Sequence, residues 1–137
     1  MLQRGSGIVT IIPLFISRLI RSGGGGTSFT TDYLDLPQLK EVLPFAASMK
    51  LHTVARQTTA ACEWKVVFCW SADGNDWSSA VDLHSAISAD GQSITTPYAT
   101  LANFGRLARF GVSARASSGT GQEGAVASAW LEITWRS

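Results

Sequence analysis

The chain has 137 residues, of which 45% are apolar and only 15% charged, with a formal net charge of +1. That length suits one domain able to bury roughly two-thirds of its unfolded surface, and the near-neutral charge excludes the electrostatic footprint by which nucleic-acid binders neutralise phosphates. So low a charge content leaves much surface neither ionic nor strongly solvated, as in chains that bury area against a partner.

Behind a basic start, Met1-Leu2-Gln3-Arg4, the run from Ile8 to Ile20 is almost wholly apolar. It resembles a secretory leader imperfectly. Pro13 and Ser17-Arg18 interrupt it, no small-x-small cleavage site follows, and it is too short to cross a bilayer as a helix, so no membrane association is expected. As a strand it is apolar in both rows, Ile8, Ile12, Leu14 and Ile16 in one and Val9, Ile11, Phe15 and Leu19 in the other. Both faces therefore need covering, while Pro13 cannot donate to a ladder and fits badly in a sheet centre. Residues 1–22 are expected to form an extended apolar arm or edge strand lying on a neighbouring subunit, or a strand packed within its own domain. Gly23 to Gly26 read as a hinge; no Lys-Ser/Thr pair and no helix follow to make them a phosphate cradle. Residues 27–137 form the expected sandwich domain.

A strand-like pattern covers Thr27 to Leu36 and ends at Pro37. Leu39, Val42 and Leu43 allow one helical turn between Pro37 and Pro44, and nothing longer, because Pro44 disfavours helix at the residue before it. Phe45 to Gln57 alternates, with Met49, Leu51, Thr53 and Ala55 on a dry row and Lys50, His52, Val54 and Arg56 on a wet one. Thr58-Thr59-Ala60 turns into the most informative stretch of the chain, Ala61 to Trp77. There Cys62, Trp64, Val66, Phe68 and Trp70 share one strand face, while the opposite row, Glu63, Lys65, Val67, Cys69 and Ser71, begins charged and becomes apolar. Such a strand leaves solvent partway and is covered on both sides, as in the centre of a β-sandwich. Cys62 and Cys69 lie seven apart on it, so their Cα atoms would stand roughly 23 Å apart, far beyond disulfide reach. Two buried thiols are expected.

Asp73-Gly74 supplies a tight turn and Trp77 opens an expected extended run to Leu83, its ring closing the end of the core. Asp90-Gly91 makes another turn, followed by a short strand near Ser93 to Thr96 and a loop at Pro97. Arg106 to Ala116 puts Leu107, Arg109, Gly111, Ser113 and Arg115 opposite Ala108, Phe110, Val112 and Ala114; Ala125 to Trp135 turns Ala127, Ala129, Leu131, Ile133 and Trp135 inward. The fold class is all-β, a jelly-roll-like β-sandwich of about eight antiparallel strands.

Motifs for chemistry fail on context. Gly119-Thr120-Gly121-Gln122-Glu123-Gly124 has the letters of a dinucleotide fingerprint, but the residues after it alternate as a strand, so a hairpin loop is expected. His52 and His84 lack companions at metal-ligand spacing and read as surface or loop residues. Asp73, Asn75 and Asp76 crowd oxygens as a calcium loop does, yet His84 stands where its final Glu should. The best approach to a nucleophile elbow, Gly111-Val112-Ser113-Ala114-Arg115, fails at its last place. No catalytic, metal or cofactor residue is assigned, and a non-enzyme is expected.

The run Trp64-x5-Trp70-Ser71-Ala72-Asp73-Gly74-Asn75-Asp76-Trp77, with Gly105 to Phe110 and the last strand Ala127 to Trp135, resembles the jelly-roll cement or decoration proteins of tailed-bacteriophage capsids. The Ser-x-Asp-Gly-x-x-Trp turn and the basic-aromatic strand also resemble discoidin-like, galactose-binding modules. The first resemblance implies a structural protein on the virion capsid surface, assembled in the host cytoplasm. Its partners would be the major capsid protein and copies of itself in a dimer or trimer. The second implies a carbohydrate-binding module, and a tail or baseplate component is a third reading. The expected partner interface is Ile8, Val9, Ile11, Ile12, Leu14, Phe15, Ile16 and Leu19, with Val67 and Cys69 as a further apolar row.

Overall fold

The computed structural model describes residues 9–21, 28–34, 46–58, 62–96, 99–100, 107–116 and 124–135. Ile8, the Gly23–Gly26 hinge, the helical turn before Pro44, the Thr59-Ala60 turn, the loop at Pro97 and the loop Gly119–Glu123 lie outside the described residues.

The strands are β1 (Val9–Arg21), β2 (Thr30–Tyr33), β3 (Ala46–Thr58), β4 (Cys62–Ser71), β5 (Val81–Asp82), β6 (Ser93–Thr95), β7 (Ala99–Thr100), β8 (Leu107–Ala116) and β9 (Gly124–Trp135). One antiparallel sheet runs β1-β9-β3-β6, with β7 also on β3; the other runs β2-β8-β4-β5. Because β6 and β7 both lie along β3, opposite Val54 to His52 and Met49 to Ser48, they act as one interrupted strand, and the count becomes eight. The first strand neighbours the last, the second neighbours the last but one, and β3 and β4 lie inside those pairs. This is the nested Greek-key winding of a jelly roll.

Alternation fixes what lies between the sheets. Met49, Leu51, Thr53 and Ala55 from β3 and Ala125, Ala127, Ala129, Leu131 and Ile133 from β9 are at most 3% exposed. They meet Cys62, Trp64, Val66 and Phe68 of β4 and Ala108, Phe110, Val112 and Ala114 of β8. Alanines beside Trp64 and Phe110 provide the small-against-large alternation that lets two inner faces interdigitate. Cys62 and Cys69 are both buried and no disulfide joins them, in keeping with their strand spacing.

The first strand is an edge of this molecule's own sheet, paired with β9 from Val9 to Arg21. Its register shifts between Pro13 and Phe15 and again between Phe15 and Arg18, each shift inserting one residue. A one-residue insertion reverses which parity faces the core. Ile12 turns inward before the first shift, Leu14 within it, Phe15 after it, and Ile20 after the second. At the second bulge Ser17 takes a φ of 48° and its amide donates to Ser128 Oγ at 2.9 Å.

Two expectations are corrected here. Trp77 to Leu83 is not a continuous strand; only Val81–Asp82 pairs with β4, while Ser78 reaches Trp70 through its amide and its hydroxyl. The Trp77 ring does not close the core but lies on the outer face of the smaller sheet, against Arg109.

Candidate functional site

Side chains that do not enter the core collect on the outer faces of the two sheets, and these faces differ. On the β1-β9-β3 sheet the bulges bring Val9, Ile11, Ile16 and Leu19, which are 49%, 52%, 74% and 56% exposed, to one outward side of the edge strand. Inward from that rim Pro13 pairs with Trp130, and Trp130 pairs with His52, whose ring stacks on the indole at 5.4 Å and 8°. The imidazole is held by Thr95 Oγ1 at 3.1 Å and Glu132 Oε1 at 3.4 Å. A band of apolar and aromatic groups thus crosses three strands, while the Arg18–Asp32 ion pair links β1 to β2 of the other sheet.

The outer face of the β2-β8-β4 sheet is roofed by cations between rings. The Arg109 guanidinium carbon stands 3.7 Å from the Tyr33 ring centroid and 4.4 Å from that of Trp77. Tyr33 can cross β8 only because residue 111 is glycine: a Cβ there would lie 2.8 Å from Thr31 Cγ2 and 3.0 Å from Tyr33 Cδ1. The phenol reaches Cys69 Sγ at 3.5 Å, and that hydrogen bond, with burial, raises its pKa above the ordinary value. Farther along, Lys65 and Arg115 lie over Phe29 at 4.1 and 4.5 Å, and Arg115 bonds Glu63 at 2.8 Å. Cation–π contacts contribute about 0.5–1 kcal/mol each at exposed sites and more as they are desolvated.

Trp77 is delivered to this roof by the turn before it. Ser71 Oγ accepts the Gly74 amide at 2.8 Å, Asp73 Oδ1 accepts the amides of Asn75 and Asp76 at 2.8 and 2.9 Å, and Gly74 takes a φ of 83°. Those amides, Asp76 first, hold the Asp73 carboxylate below its ordinary pKa. Asp73 therefore builds a turn with the oxygen that a calcium ion would need. The Trp77 indole closes the turn by donating to the Gly74 carbonyl at 3.2 Å. Among the described residues no group of three His, Cys, Asp or Glu could hold a metal ion.

The expected interface residues divide. Val9, Ile11, Ile16 and Leu19 come together on the outer rim, and Ile12 packs partly against the core. Leu14 and Phe15, 7% and 8% exposed, belong to the core, a correction that follows from the first bulge. Val67 and Cys69 are 2% and 1% exposed, and Cys69 lies against the Tyr33 phenol, so neither is available to a partner on this surface. Sequence reasoning missed the stack because Tyr33, Trp77 and Arg109 are far apart in the chain and share no period; Gly111 among larger outward residues was the one local sign. His84 lies in a loop, as expected, and sequence reasoning missed its contact: its Nε2 accepts the Val66 amide at 3.0 Å.

No family model matches the chain, and no curated protein matches it. Among solved structures it is similar to the infectious bursal disease virus Gx strain structure, with 10% identity and a TM-score of 0.61 over 92% of this chain and 31% of that one. The VP2 subviral particle of the same virus gives 10% identity and a TM-score of 0.59 over 94% and 32%. The CBM22-1 xylan-binding domain of Paenibacillus barcinonensis Xyn10C gives 6% identity and a TM-score of 0.51 over 90% and 97%. The chain therefore spans about a third of the viral chains it resembles and nearly all of the xylan-binding domain. At such identities the likeness is one of fold. It shows a β-sandwich of jelly-roll type, a coarser statement than the expected kinship with tailed-phage cement proteins.

Proposed function

We propose that this chain is a non-catalytic structural protein of a virion that binds and stabilises a capsid lattice, as a cement or decoration protein of a tailed bacteriophage does. The observation that carries the reading is the apolar outward rim of β1, four side chains from about half to three-quarters exposed on an edge strand. Monomers seldom leave apolar groups so grouped, and a contiguous patch of this kind marks an interface. The jelly-roll winding and its likeness to capsid proteins support the same reading. Its partners are the major capsid protein and further copies of this chain, in a dimer or trimer. The rim with the adjoining Pro13-Trp130-His52 band is the contact surface. Cosedimentation of the purified protein with capsids, at saturating stoichiometry, is the expected result; a protein that never enters the particle fraction contradicts it.

A carbohydrate-binding module is the second reading, favoured by the Tyr33-Arg109-Trp77 face, where rings and a guanidinium stand beside the exposed Asn75 and Asp76. Sugars are recognised by ring stacking combined with directional polar groups. Retardation on xylan or galactose-bearing polymer, lost in Trp77→Ala, is the outcome this reading requires.

A further inference from the structure

Beyond any role in a particle, the far edge of the smaller sheet carries a device of its own. Among the described strands, β4 has β8 on one side and only the two-residue β5 on the other. Past β5 the chain continues along β4: the Leu83 amide donates to the Val66 carbonyl at 3.0 Å, and Ile87 exchanges two hydrogen bonds with Trp64 at 2.8 and 3.1 Å. Between these points the backbone leaves the strand, and the Val66 amide would be orphaned. His84 fills the gap, its Nε2 accepting that amide at 3.0 Å, while its Nδ1–H donates to the Ser85 carbonyl at 2.7 Å. The ring meets the buried Trp64 indole edge to face at 5.9 Å. A side chain here does the work of a strand residue, and it can do so only as the neutral Nδ1–H tautomer.

We propose that His84 is an acid-sensitive latch, holding the 83–88 segment on the open edge of β4 and releasing it on protonation. An imidazolium presents N–H at both nitrogens, so Nε2 would face the Val66 N–H as donor against donor. Burial, the largest influence on the ring, already disfavours its charged form. The charged groups that act on it are Asp82, which favours protonation, and Lys65, which opposes it; the two are bonded to each other at 2.7 Å. Release exposes the main chain of Trp64 to Val66, a free strand edge of the kind that accepts an extended segment. It also withdraws support from Ile87, which is fully buried.

Amide hydrogen exchange on the intact protein, corrected for intrinsic rates, tests this at neutral pH and at about pH 5. The expected result is a loss of about tenfold or more in protection at Val66 and Ile87 on acidification, with β9 amides unchanged. His84→Gln, whose amide oxygen accepts at any pH, should keep Val66 protected under both conditions. An NMR titration of the wild-type imidazole supplies a readout that needs no variant, with a midpoint below the ordinary value expected. Equal Val66 protection at both pH values, or an imidazole that titrates at or above the ordinary value, overturns the latch.

Discussion

The two sheets share one core and treat their outer faces in opposite ways. The smaller sheet covers its face with its own side chains: Tyr33, Arg109 and Trp77 form a stack, and Cys69 beneath Tyr33 is 1% exposed. The larger sheet leaves its rim open, with Ile16 74% exposed on an edge that two bulges and Pro13 shape. A face closed by internal contacts has little left to give a partner, whereas an open apolar rim gains by being covered. Under the proposed function, attachment falls to the β1 side and internal stiffening to the β2-β8-β4 side.

The largest effect should come from separating neighbours on β1. Phe15 is 8% exposed and meets Trp64 edge to face at 6.3 Å, while Ile16 points outward. Phe15→Ala is expected to lose about 3–5 kcal/mol in denaturant unfolding. Ile16→Ser should stay within about 0.5 kcal/mol of wild type. Equal losses would mean that the strand does not divide as the bulges require.

That division also shows where the sequence was readable. Strands β4, β8 and β9, and β3 from Ser48 to Ala55 between its own two register shifts, keep period two, so their inward rows, including Met49-Leu51-Thr53-Ala55 and Ala127-Ala129-Leu131-Ile133, could be written down from the residues alone. In β1 the alternation is broken twice by inserted residues, so both rows looked apolar and neither could be assigned to the core. The Trp77 to Leu83 stretch misled in the opposite sense: its alternation is real, but Ser78 turns back to Trp70 instead of extending. Tyr33 across Gly111 and His84 on the Val66 amide depend on contacts between distant residues, one of them a backbone group, and no spacing announces these.

On the closed face, Gly111→Ala should cost about 1–3 kcal/mol, because the new methyl meets Thr31 and Tyr33 side chains that the sheet holds in place. Displacing Tyr33 should also let a thiol reagent label Cys69 in the folded protein while Cys62 stays protected. A variant with wild-type stability and no labelling would show that the stack does not depend on the bare glycine. Trp77→Ala removes a half-buried ring from one side of Arg109, and a loss of about 1–2 kcal/mol is expected, smaller than for a core tryptophan. A loss as large as that of Phe15→Ala would place Trp77 in the core after all.

A gentler effect separates the edges by pH. Burial lowers the His84 pKa from its ordinary 6.5, so the unfolded chain binds a proton more readily than the folded one between the two values. Its contribution to stability is complete above the unfolded value, declines as pH falls toward the folded value, and changes no further below both. Unfolding free energy measured across that window should fall with pH in wild type and lose this component in His84→Gln. A slope identical in the two proteins would detach His84 from stability.

The smallest expected change in stability per substituted residue accompanies the most direct test of the interface. Val9, Ile11, Ile16 and Leu19 replaced together by threonine keep strand propensity while removing the apolar rim. Each site should alter stability by no more than about 0.5 kcal/mol. Capsid cosedimentation and self-association of this folded variant, measured beside wild type, decide the matter. The account predicts that both are lost with the fold intact; a variant that still saturates particles and assembles as wild type does would contradict it.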